Sequence, residues 1–151
     1  MEISRFNIRV YFLLLDEMQD CVLLSDELIK GKPFTKFPGG GLEFGEGPED
    51  CAKREAIEEL GQKIEILSQF YTTSFFQQSL FRKTDQIISI YYTAKLSEPA
   101  RFSIVNERFN FDSSINQDQA FRWCKLEDLD IEEFELPIDR VIVQMLLAGK
   151  I

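Results

Sequence analysis

The sequence predicts a mixed α/β (α+β) fold, one sheet covered by helices, built as a single domain over residues 1–151. Three observations lead there. Runs rich in β-branched and aromatic residues lie on both sides of a well-capped helix, in the order strands, helix, strands, helix. No linker, repeat or low-complexity stretch divides the chain. The composition, 44% hydrophobic and 13% aromatic, is that of a chain able to bury a substantial core.

Residues Phe6 to Leu15 form a continuous apolar run, as expected of a buried strand. The polar turn Asp16 to Asp20 and a second strand, Cys21 to Ile29, make an antiparallel hairpin with it. Gly31 and Pro33 break the chain before a short strand, Phe34 to Phe37, which leads into a glycine turn at Gly39-Gly40-Gly41. A helix from about Pro48 to Leu60 follows. Pro48 suits its first position, Gly47 precedes it as a cap, and Glu49 and Asp50 meet the positive end of the dipole. Gly61 sits where a left-handed residue ends the helix. Glu55, Glu58 and Glu59 fall at i, i+3 and i+4 on one face, with Ala56, Ile57 and Leu60 turned toward a core. Strand-like runs continue at Lys63 to Ser68, Phe70 to Phe76 and Gln86 to Lys95, with a polar break at Arg82 to Asp85. Residues Ser97 to Gln119 read as a long functional or mobile loop. Ala120 to Cys124 is one more strand, Leu126 to Leu129 a helical turn, and Pro137 opens an amphipathic helix, Ile138 to Leu147.

The charge balance removes several function classes. With 26 acidic against 17 basic residues, the formal net charge of −9 argues against a nucleic-acid partner. There is no histidine, so imidazole chemistry and His-containing zinc sites are excluded, and proton transfer falls to carboxylate, Lys, Tyr, Cys or water. Cys21, Cys51 and Cys124 are widely spaced and odd in number, with no neighbouring base, which reads as reduced thiols in a cytoplasmic protein. The run Ile8 to Leu15 is too short to span a bilayer and lacks the flanks of an export signal, so no membrane association is expected.

The stretch FPGGGLEFGEGPEDCAKREAIEELGQ carries the chemistry. Taken alone, its glutamate-rich helix would be a solvated face whose like charges repel weakly. The register says otherwise. Five residues separate Gly40 from Glu46, and seven more precede Arg54-Glu55-Ala56-Ile57-Glu58-Glu59-Leu60-Gly61. This resembles the box of the Nudix family, G-x5-E-x7-R-E-U-x-E-E-x-G-U with U a bulky aliphatic residue. Gly40, Glu46, Arg54, Glu55, Glu58, Glu59 and Gly61 all match. Ala56 and Gln62 depart from the pattern at packing positions. Weaker similarity extends to the early hairpin, the tryptophan strand FRWCKLEDL and the closing LPIDRVIVQMLL.

The resemblance implies an α/β/α sandwich with a mixed sheet between helices, and a hydrolase that cleaves a diphosphate linkage by water attack on phosphorus. It implies Glu55, Glu59 and the Gly40 carbonyl as metal ligands, Glu58 as ligand or base, and Arg54 and Glu46 as the groups that orient them. A further acid from the loop before the tryptophan strand is common in the family; Asp118 occupies that place, with Asp112 and Glu107 as alternatives. The physical chemistry agrees. Mg²⁺ or Mn²⁺ prefers carboxylate and carbonyl oxygens, and a polyanionic substrate needs such ions beside a chain of net charge −9.

Substrate choice is less legible. The window Gln77-Gln78-Ser79-Leu80 has neither the proline of ADP-ribose pyrophosphatases nor the tyrosine of dinucleoside polyphosphate hydrolases. Nucleoside triphosphates and nucleotide sugars, ADP-ribose included, head the candidates. Two other classes stand beside this reading: a Nudix-fold nucleotide sensor without turnover, which should have lost box glutamates, and an acidic interaction domain, which should ignore divalent metal. Homodimers are common among members of the family.

Overall fold

The computed structural model describes residues 2–115 and 117–151. Seven strands form the sheet: β1 (Arg5–Asp16), β2 (Cys21–Ile29), β3 (Lys32–Lys36), β4 (Gly39–Gly41), β5 (Ile64–Thr72), β6 (Asp85–Leu96) and β7 (Gln119–Lys125). Two α-helices, α1 (Pro48–Leu60) and α2 (Pro137–Leu147), complete the framework. The sheet is mixed. β1 runs parallel to β6 from Arg5↔Asp85 to Leu14↔Ala94, while its other partners are antiparallel.

β1 is central because its side chains alternate between two cores. Val10, Phe12 and Leu14 pack with Cys51, Ala52, Ala56 and Leu60 of α1. Tyr11, Leu13 and Leu15 pack on the other face with Ile138, Ile142, Val143 and Leu146 of α2. The helices therefore cover opposite faces, the α/β/α layering that the sequence resemblance implied.

The expected hairpin is real but brief. β1 and β2 pair only at Leu15↔Val22 and Asp16↔Cys21, after which β2 pairs with β3 and β7 instead. β4 pairs with β1 in place of β2, so the three glycines form a strand rather than the expected turn, with Gly40 opposite Val10. Pro33 likewise lies inside β3, opposite Leu28, instead of breaking the chain before it. β3 is an edge strand, where a missing N–H leaves no neighbour unpaired. The two runs expected at Lys63 to Ser68 and Phe70 to Phe76 fuse into β5, with two register shifts against β6, but the strand ends at Thr72 and leaves Thr73 to Phe76 outside it.

α1 has the expected bounds. The Asp50 carboxylate accepts from the Gly47 amide at 3.1 Å, and Gly61 closes the helix in the left-handed region. One correction concerns its apolar face. Ile57 is 47% exposed, because the helical period brings Cys51, Ala52, Ala56 and Leu60 to the sheet and carries residue 57 past it. Gln62, polar where the family pattern is aliphatic, is buried: it donates to the Pro99 carbonyl (3.1 Å) and accepts from the Arg101 amide.

The long loop before β7 is anchored elsewhere too. The Val105 amide donates to the Phe121 carbonyl, Arg108 Nε to the Thr35 hydroxyl, and the Phe109 amide to Asp26. Asp26 is wholly buried and also pairs with Arg122 at 2.8 Å. Asn116 of this loop lies outside the described residues. Among the described residues, no helix is long and apolar enough to cross a membrane.

Candidate active site

Arg54 is the hub of the acidic stretch. Its Nε and Nη2 donate to the two oxygens of Glu46 (2.9 and 2.7 Å), and Nη2 also donates to the Gly41 carbonyl (3.0 Å). Nη1 donates to Glu55 (3.0 Å) and Glu58 (3.2 Å), with Glu43 3.6 Å away. A planar guanidinium can hold several acceptors at once, which a lysine ammonium cannot do with the same geometry. The side-chain hydrogen bond from Arg54 holds the Glu46 carboxyl down at about 2, and the acids around Arg54 raise the guanidinium above its usual range.

The three helix glutamates do not share one environment. The Glu55 side chain is 13% exposed and that of Glu58 is 56% exposed. Glu59 reaches inward. Its Oε2 accepts from the Gly39 amide (3.1 Å) and its Oε1 from Gln119 Nε2 (3.1 Å). Burial pushes the Glu59 carboxyl up to about 7, against the opposing pull of Lys36 and Gln119.

Gly40 allows this crowding. A Cβ there would fall on the Glu55 carboxylate, well inside contact distance, so only glycine leaves the acid its place beside the backbone of β4. The oxygen-rich donor set and the cradle at Gly40 fit a hard divalent cation. Among the described residues, no three acidic or thiol side chains already converge as an ion cage. Glu55 and Glu58 instead share Arg54 Nη1 in ion pairs.

Three side chains without a motif in the sequence join Glu59. Gln119 Nε2 also donates to Glu27 Oε2 (3.2 Å), and Lys36 Nζ pairs with the same oxygen (3.2 Å). Lys36 is 4% exposed. Burial disfavours its charge, but Glu27, Tyr11, Glu59 and Asp139 more than offset that and raise its pKa. The sequence signals for them are weak: Ser25-Asp26-Glu27 interrupts an apolar strand, and Lys36 directly precedes Phe37-Pro38-Gly39. Asp118 lies exposed at the entry to β7, its carbonyl accepting from Leu28 N, and its neighbour Gln119 is the one that reaches Glu59. Asp112 and Glu107 are exposed in the loop, where Asp112 bonds Ser114. Cys51 lies beneath Arg54 and Gly41, and burial pushes its thiol up to about 12, so it is not a nucleophile at neutral pH.

A cavity of about 460 Å³ adjoins the acidic cluster, bounded by β1, β6 and the start of α2, with Arg9, Tyr11, Glu27, Lys36 and Tyr91 in its walls. Its size is typical of a small-molecule site. Arg9 stands where cavity and glycine strand meet, since a Cβ on Gly41 would lie 3.4 Å from its Nη1.

Comparison with known proteins agrees with this geometry. A family profile described as the NUDIX domain matches residues 5–145. A NUDIX hydrolase from Nitrosomonas europaea superimposes with a TM-score of 0.70 at 18% identity, over 95% of this chain and 90% of that one. A MutT NUDIX hydrolase from Burkholderia pseudomallei gives 0.69 at 17% identity, over 93% and 98%. A UDP-X diphosphatase gives 0.63 at 18% identity, over 96% of this chain and 64% of that one. At these identities the superpositions speak for the fold, and the profile match, spanning nearly the whole chain, speaks for the family: the chain belongs to the Nudix hydrolases.

Proposed function

We propose that this hydrolase cleaves the diphosphate linkage of a nucleoside diphosphate joined to another moiety, with Mg²⁺ or Mn²⁺ as cofactor. The observation that carries the reading is the Arg54 hub, which ties Gly41, Glu46, Glu55 and Glu58 into one unit beside the half-buried Glu59. Glu55, Glu59 and the Gly40 carbonyl are the groups that would hold metal, with Asp118 the acid the loop would add. A bound Mg²⁺ or Mn²⁺ supplies charge neutralisation on the diphosphate and a coordinated water of lowered pKa. Glu58, the most exposed of the three helix glutamates, would take the proton of the attacking water or add a further oxygen ligand. Arg54 and Glu46 act behind these groups and hold the carboxylates in register. Arg9 and Lys36, in the cavity wall, meet the substrate phosphates. The name of one structural neighbour, UDP-X diphosphatase, supports a nucleoside diphosphate derivative, with nucleoside triphosphates and nucleotide sugars as the classes to test. The three free thiols suit a reducing cytoplasm.

The test is phosphate or nucleotide release from a panel of such compounds with Mg²⁺ or Mn²⁺. Metal-dependent turnover is expected, and Glu59→Gln and Glu58→Gln should each lose more than the roughly 10–100-fold typical of groups standing behind a ligand. Full activity in Glu59→Gln would remove it from the metal site. A folded protein that binds nucleotide but turns over no compound would be a sensor.

A further inference from the structure

A second, smaller cavity also reaches Glu59. Its volume is about 240 Å³, and it forms where residues 102–105 of the long loop run beside β7. Phe102, Val105, Ala120 and Phe121 give it an apolar lining, and Ser103, Gln117 and Gln119 add neutral hydrogen-bonding groups. Phe102 packs against Phe121, with 6.0 Å between ring centres, and against Trp123 at 6.5 Å. The Val105 amide donates to the Phe121 carbonyl at 2.8 Å, so the loop wall is tied to the sheet and the cavity is preformed. Gln117 Oε1 accepts from the Asp112 amide at 2.7 Å, which leaves its Nε2 to donate elsewhere.

The two cavities meet at one contact. Gln119 Nε2 donates to Glu59 Oε1 (3.1 Å) and to Glu27 Oε2 (3.2 Å). Glu27 lines the larger cavity, and Glu59 and Gln119 line the smaller. Their charges differ. The larger has Arg5, Arg9, Lys36 and Arg82 in its walls, whereas Glu59 is the one charged side chain among the described residues lining the smaller. A phosphate in the smaller cavity would sit beside a carboxylate with no cation of the protein to offset it. A neutral ring is better served: Phe102 offers it an aromatic face, and Ser103, Gln117 and Gln119 offer partners for its hydroxyls. The space falls below the range of drug-sized ligands and suits one monosaccharide, not a second nucleoside.

We propose that the smaller cavity binds an uncharged monosaccharide joined to the nucleoside diphosphate, which makes the substrate class the nucleotide sugars rather than the nucleoside triphosphates. This rests on the proposed function in placing the diphosphate beside Glu59. Water adds to one phosphorus and the bridging oxygen leaves with the other. The products are a nucleoside monophosphate and a sugar phosphate, and the protons of the water pass to solvent.

Binding is measured by calorimetry with Ca²⁺, which also takes oxygen ligands. The pairs keep the charge and differ in the ring: UDP-glucose, ADP-glucose and GDP-mannose, each against the β-methyl ester of the same nucleoside diphosphate. Turnover is measured separately with Mg²⁺, as nucleoside monophosphate released from each nucleotide sugar and from the triphosphate of the same base. In at least one pair the sugar should bind about tenfold more tightly, the worth of one or two hydrogen bonds, and its kcat/KM should exceed that of the triphosphate by about the same factor. Ser103 is exposed, so Ser103→Phe fills the cavity from its rim and should abolish the ring preference while the methyl ester binds as before. A ring preference that survives Ser103→Phe, or a loss shared by both members of a pair, overturns the proposal. So does equal binding of sugar and methyl ester, or binding of neither, in the wild type, a measurement that needs no variant to fold. Turnover of triphosphates in preference to sugars sustains the hydrolase reading and sinks this inference. A ring preference in binding without metal-dependent turnover leaves this inference standing and sinks the hydrolase reading.

Discussion

Replacing Arg54 with lysine keeps the charge and removes the geometry. Arg54 makes two hydrogen bonds to Glu46 and one each to the Gly41 carbonyl, Glu55 and Glu58. A lysine ammonium on a shorter reach can replace one or two of these. The Arg54 side chain is 24% exposed, so solvent screens part of each interaction. At roughly 1 kcal/mol per hydrogen bond lost to a charged partner, discounted for that exposure, Arg54→Lys should destabilise the fold by about 2 kcal/mol. In a chain of this length that lowers the melting temperature by about 4–8 °C. A second readout is local: the Glu46 carboxyl, held at about 2 by Arg54, should titrate nearer the ordinary carboxylate range, followed by NMR. Metal-dependent turnover should fall together with these changes. If Arg54→Lys unfolds like the wild type and Glu46 titrates unchanged, the hub is not what positions the carboxylates.

Two neighbouring glycines should fail in different ways. Gly39→Ala would drive a Cβ into the Val10 carbonyl and the Tyr11 backbone at a positive φ, so the fold should lose about 3 kcal/mol in urea unfolding. Gly40→Ala meets only the end of the flexible Glu55 side chain, so stability should change by less than about 1 kcal/mol while metal-dependent turnover collapses. Equal stability losses in both would refute this division of labour. Burial raises Asp139 to about 6 in the folded protein, above its usual 3.8. The folded state then binds the extra proton, so stability from this group is fullest below about pH 4 and is lost as pH rises through 6. Up to about 3 kcal/mol is at stake. Asp139→Asn still accepts from Tyr91 and should flatten stability between pH 4 and 7, as measured by denaturant unfolding; an unchanged slope would place the titration elsewhere.

The local parts of this protein are legible in its amino-acid sequence. α1 announces both ends through Pro48, the first-turn acids and Gly61, because capping acts over a few residues. The Arg54–Glu46 pairing is legible for a similar reason: a stretch of seven residues brings the two together, and the box spacing marks it. The apolar run of β1 reads as a buried strand, which it is on both faces. Where expectation and fold part, neighbours in space overrule neighbours in sequence. Three glycines look like a turn until β1 offers them an antiparallel partner, and Ile57 looks buried until the helix is rotated on its sheet.

What the amino-acid sequence by itself determined is the proposed reaction centre: a helix carrying Glu55, Glu58 and Glu59, in register with Gly40, Glu46 and Arg54, all within 20 residues of chain. What only the tertiary structure decided is what surrounds that centre. Gln119 reaches Glu59 across 60 residues, Lys36 and Glu27 meet through the register of β2 with β3, and Tyr91 finds Asp139 across 48. Those meetings depend on how strands slide and which partners they choose. A shift of one residue in that register turns every side chain to the opposite face, and no local pattern in the chain records the choice.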